Sequence, residues 1–168
     1  VVGVNDIDRS PAVVSTALAV GAGLLSLLGS TLGSVVGALP AAIGLAVLGV
    51  GLVRASRAVV TAGAGLLFVG VLLSGASGAG AEPLLIGTIG AIVAWDVGEN
   101  GIGIGQQLGR AADTRRAELV HAASSLVVGA VTAGLGYGVY RGAASGQPLT
   151  ALVFLLVGAV VLVSALGR

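Results

Sequence analysis

Residues 10–53 read SPAVVSTALAVGAGLLSLLGSTLGSVVGALPAAIGLAVLGVGLV, a run without one charged side chain. As a single helix, its roughly 44 residues would extend about 66 Å, twice the hydrocarbon thickness of a bilayer. A chain this apolar and this long must turn back on itself. The small, polar cluster running from Gly29, Ser30 and Thr31 to Ser34 is the expected turn. Two membrane-crossing helices follow, over about 11–28 and 35–53, with Pro40 either kinking the second or marking a later start. Arg54 and Arg57 close this hairpin.

The remaining chain divides in the same way at charges, prolines and loop-like clusters. Helices are expected over about 58–78, 83–109, 118–140 and 148–166, which makes six spans. Residues 1–10 form a short tail carrying Asp6, Asp8 and Arg9, without the basic start of a secretory signal. Residues 11–168 then form a single transmembrane domain. Pro11, Pro83 and Pro148 fall at expected helix starts, where the missing N–H costs least. A closed barrel would alternate polar and apolar residues over about ten positions. These runs do not, so the expected class is all-α, a polytopic helical bundle.

Composition supports a lipid solvent. Of 168 residues, 56% are hydrophobic and 9% charged, against about 25% charged in a soluble domain. Eight arginines and seven acids are too few to solvate a surface of this size. With a net charge of +1, there is no electrostatic case for binding nucleic acid. There is no cysteine, so disulfides, thiolate metal ligation and thiol catalysis are excluded. Every base is an arginine, and Gly, Ala and Val dominate, which suggests a GC-rich, halophilic source.

The arginines also suggest orientation. With six spans, Arg9, Arg54, Arg57, Arg110, Arg115, Arg116 and Arg168 share one side and Arg141 stands alone on the other. The positive-inside rule then puts both termini in the cytoplasm of a cell-membrane protein. Tyr137 and Tyr140 beside Arg141 suit the outer interface. Small residues at four-residue spacing, such as Gly29, Gly33 and Gly37, or Ser125 and Gly129, read as ordinary close packing between helices. A faint likeness between the segments after Arg57 and after Arg116, about 60 residues apart, carries little weight as an internal repeat.

Chemistry concentrates between Trp95 and Ser125. Asp96 and Glu99 share one helical face, as do Glu118 and His121, and a carboxylate facing lipid is costly. If the chain turns near Ala112, His121 lies opposite Gly103 and Glu118 opposite Gln106. One polar cluster is expected near the cytoplasmic end, drawn from Asp96, Glu99, Asn100, Gln106, Arg110, Arg115, Arg116, Glu118 and His121. Its plain reading is a structural network fixing the hairpin. A second reading is an ion or small-solute path, because Gly98, Gly101, Gly103, Gly105 and Gly109 weaken the helix as in broken transporter helices. Glu118-x-x-His121 has di-iron spacing, but His121 is the sole histidine and no metal is expected. Gly101-x-Gly103-x-Gly105 lacks the third glycine of a dinucleotide loop, and no Lys or G-x-S-x-G is present. No cofactor, catalytic residue or enzymatic activity is expected.

The stretch from Ala94 to Glu99, with Gln106 to His121, resembles a family of small haloarchaeal multi-pass membrane proteins of no assigned function. The likeness centres on about 30 residues. It implies genes beside MoxR-type AAA ATPases and von Willebrand-like proteins, hence a partner in a membrane-associated assembly. The expected function is a non-enzymatic membrane component. It binds a cytoplasmic protein or a copy of itself through the arginine-rich hairpin. The alternative is a channel or transporter subunit lined by Asp96, Glu99 and His121.

Overall fold

The computed structural model describes residues 8–142. They form five helices: α1 (Val13–Gly33), α2 (Val35–Val53), α3 (Arg57–Ala76), α4 (Ala81–Leu108) and α5 (Arg115–Gly142). All five are long and apolar enough to cross a membrane. The expected sixth helix, 148–166, lies outside the described residues. The chain divides into two compact units, Val1–Ala133 and Gly134–Arg168.

The expected turn at 29–34 is corrected. Gly29, Ser30 and Thr31 are helical, and only Ser34 separates α1 from α2. Ser34 adopts an extended conformation, with φ −167° and ψ 143°. Its N–H donates to Ser30 O at 2.9 Å, and its Oγ accepts from Val36 N at 3.2 Å. One residue thus ends one helix and caps the next. Gly and Ser break helices in water, where the exposed backbone is solvated. Between helices in lipid the backbone has no such alternative partner, and their small size becomes a packing surface.

The prolines behave as helix-tolerated residues. Pro83 sits in the first turn of α4, and Pro40 lies inside α2 without ending it. Pro11 precedes α1, which starts at Val13. The longer loops turn on Ala55 (φ 50°), Gly78 (φ 89°) and Gly109 (φ 80°).

Small residues recur at sevens along the buried faces. On α1 they are Ser15, Ala22 and Gly29, with Ala19 and Ser26; on α4, Gly87, Ala94 and Gly101, with Ala91, Gly98 and Gly105. These faces meet antiparallel: Gly29 against Gly87, Ser26 against Gly90, and Ser15 against Gly101. On α2, Gly37, Gly44 and Gly51 face Gly70, Gly63 and Val60 of α3 in the same manner. A seven-residue repeat keeps one face toward a neighbour along its whole length. With no side chain in the way, backbones approach closely, which is the main attraction left when lipid surrounds both helices. The α2–α3 and α1–α4 pairs are the most extensive contacts, and α3 joins the pairs by packing on α4 and α1.

α5 packs differently. Only Glu118 and Ala122 are buried along it, while Leu126, Val128 and Val131 are exposed. In the second unit, the Tyr137 and Tyr140 rings stack with centroids 6.2 Å apart. The Arg141 guanidinium lies 5.9 Å from the Tyr137 ring centre.

The packing makes a sharp distinction between glycines. A Cβ at Gly44 would stand 2.5 Å from Leu67 N, whereas one at Gly49 meets nothing within 4 Å. We expect Gly44→Ala to lower the thermal stability of the detergent-solubilised protein by about 1–3 kcal/mol. Gly49→Ala should leave it unchanged or slightly higher. Melting curves of the two variants check this.

Candidate functional site

The polar residues expected to form one cluster are distributed over three helix-to-helix contacts. α4 is continuous from Ala81 to Leu108, so its glycines do not break it. Gly98, Gly101 and Gly105 instead admit Val60, Ser15 and the Ser10 backbone.

The first contact joins α3 and α4. Arg57 Nη1 donates to Glu99 Oε2 at 2.8 Å. Thr61 Oγ1, one turn beyond Arg57, lies 3.4 Å from Glu99 Oε1 and accepts from Trp95 Nε1 at 3.1 Å. Arg57, Thr61, Trp95 and Glu99 form a ladder along the α3–α4 seam.

The second contact joins α5 to α1. Glu118 is 3% exposed, and its Oε2 accepts from Ser15 N at 2.6 Å. Ser15 lies in the first turn of α1, whose own N-cap, Ala12, supplies no side-chain bond. Glu118 therefore caps a helix on another part of the chain, where an unpaired N–H and the positive end of the helix dipole favour a carboxylate. Thr114 Oγ1 donates to the other oxygen, Oε1, at 2.9 Å.

The third contact joins α4 and α5. Ser125 Oγ donates to Asp96 Oδ2. His121 Nε2 stands 2.9 Å from that oxygen, but off a hydrogen-bonding direction. The expected register was therefore wrong. His121 faces Asp96 and not Gly103, a slip of about two turns, and Glu118 faces α1 and not Gln106. The segment before α1 accounts for this, because it occupies the end of α4. Ala12 N donates to Gly101 O at 3.0 Å, and Arg110 N to Asp8 O at 2.8 Å. The Ser10 hydroxyl and amide hold the Asp8 carboxyl below the usual carboxylate range.

Glu118 and His121 serve different neighbours, so the di-iron spacing does not form a ligand pair. Among the described residues, no three His, Asp or Glu side chains gather at one point. Asn100 is half-buried, while Gln106, Arg110, Arg115 and Arg116 are exposed. Arg9 and Arg54 are exposed as well. The chain reverses at each loop, and Ser10, Val53 and Arg110 line one shared pocket of about 400 Å³. The start of α1, the α2–α3 loop and the α4–α5 loop therefore share one end of the bundle, and six arginines sit on these segments. The loop between α3 and α4, at the other end, carries none.

Sequence reading missed Thr61, Ser125 and Ser15. The first two carry a signal, since Thr61 lies one turn from Arg57 and Ser125 one turn from His121 on the same helix. Ser15 takes part through its backbone N–H, which no residue type reveals.

Five apolar helices joined by short loops define a multi-pass helical membrane protein. Residues 9–163 match a family of unknown function, DUF7519, and the chain belongs to that family. No curated protein and no solved structure matches it.

The Glu118 cap yields a direct test. Glu118→Ala leaves Ser15 N buried without an acceptor, at an expected cost of about 1–3 kcal/mol. Glu118→Gln keeps an oxygen acceptor and should lose less. Unfolding followed by circular dichroism in detergent ranks the two variants.

Proposed function

We propose that this protein is a non-enzymatic component of a membrane assembly that docks a partner on its arginine-bearing end. The positive-inside rule makes that end cytoplasmic. The observation that carries the reading is a division of labour among charged residues. Asp96, Glu99, Glu118, Arg57 and His121 are engaged between helices. Arg54, Arg110, Arg115 and Arg116 stand exposed around the loops. A guanidinium presents several donors in a planar fork suited to carboxylates. A cytoplasmic protein with an acidic surface, such as an ATPase of the kind the sequence resemblance implies, fits this face.

The continuous α4 argues against the alternative of an ion or solute path, since a broken helix was its main support.

The reading predicts that the charge-reversed variant Arg115→Glu/Arg116→Glu loses at least about tenfold in cross-linked partner recovered from intact membranes. Asp96→Asn/Glu99→Gln, if it assembles, should retain the partner. Unchanged recovery in the reversed variant contradicts the proposal. So does ion flux in liposomes that Asp96→Asn/Glu99→Gln abolishes.

A further inference from the structure

α5 leans on α4 through few contacts, and a groove of about 590 Å³ opens between them. Leu85, Ile89, Ile92 and Val93 of α4 form one wall, and Val128 and Gly129 of α5 belong to the other. The groove reaches from Leu85 to Asp96, about 16 Å along α4, which is close to the depth of one leaflet. Asp96 and His121 close the end nearer the arginines. Asp96 and His121 side chains are each more than a third exposed. The contacts from Ser125 and His121 both go to Asp96 Oδ2, and most of the other residues along the groove are apolar.

An ionised carboxylate in that position calls for a cationic or strongly donating neighbour. His121 Nε2 stands beside the same Oδ2 without a hydrogen bond to it. Among residues 8–133, Arg57 is held by Glu99 and the other arginines lie on the end segments. We propose that the α4–α5 groove binds a single-chain amphiphile with a protonated amine head, the amine at Asp96 and the hydrocarbon along Ile89 and Val128. The site is separate from the arginine face and does not depend on partner docking there.

Trp95 is the sole tryptophan and lines this groove, so it reports occupancy directly. The full chain, purified in an uncharged maltoside detergent at pH 7.5, is titrated with 12-bromododecylamine, 12-bromododecanol or 12-bromododecanoate. Bromine quenches indole fluorescence only at short range. The amine is expected to quench saturably, at a concentration roughly tenfold below the alcohol, as a charge-assisted hydrogen bond would give. Asp96→Asn should reduce the amine to the level of the alcohol. Gly129→Leu, which fills the groove from α5, should weaken both. The comparison of head groups on the unaltered protein needs no variant to fold. Equal quenching by all three chains, preference for the carboxylate, or no saturable quenching by the amine overturns the proposal. An amine preference that survives Asp96→Asn also overturns it. Groove closure by a second copy of the chain would appear as a dimer on size-exclusion chromatography that no probe quenches, and it counts against the proposal in the same way.

Discussion

Backbone-to-backbone approach through small side chains is the constraint on which the rest of this bundle depends. In water, burial of apolar surface would drive helices together. In lipid the surroundings are as apolar as the helix surfaces, and that drive is absent. What remains is dispersion between closely fitted surfaces, which falls off within about an ångström of added separation. The seven-residue series Gly37, Gly44 and Gly51 on α2, and the Ser, Ala and Gly series on α1 and α4, meet this need. Large residues such as Leu48, Leu67 and Ile102 then fill the core between the pairs. α5 lacks such a buried series and is held by polar contacts from Glu118, His121 and Ser125.

This difference explains where the charges are. Each ionisable residue inside the bundle links two helices, and two of the three links involve α5. Glu118 is the most buried of them and meets the N-terminus of α1, where the helix itself provides the compensating partial charge. Arg57 and Glu99 compensate one another beside the α3–α4 seam. Asp96 takes a hydrogen bond from Ser125 and lines the groove that the loose packing of α5 leaves open. The same helix that is fastened by side chains is therefore the one beside which a ligand has room.

Much of the fold was legible because length and charge spacing are coarse signals that lipid enforces. The expected bounds of α2, 35–53, coincide with those observed, since Arg54 and Ser34 fix its ends. The end of α1 was misread because Gly29, Ser30 and Thr31 have the composition of a turn; only the facing Gly87 reveals them as a contact surface. The seven-residue glycine series escaped notice in a chain with 30 glycines, where any spacing recurs by chance. Asp96, Glu99, Glu118 and His121 all make interhelical contacts. Their register depended on the segment 8–12 covering the end of α4, which nothing in the hairpin's own sequence records.

The central claim is that these helices span a bilayer with the arginine-bearing loops on its cytoplasmic face. The chain contains no cysteine, so single cysteines introduced at exposed loop positions can be labelled without background. Asp113→Cys lies in the α4–α5 loop and Ser77→Cys in the α3–α4 loop. A membrane-impermeant maleimide should label Ser77→Cys only from outside intact cells and Asp113→Cys only in inverted vesicles. Labelling of both from the same side, or recovery of the protein from the soluble fraction without detergent, would contradict the account.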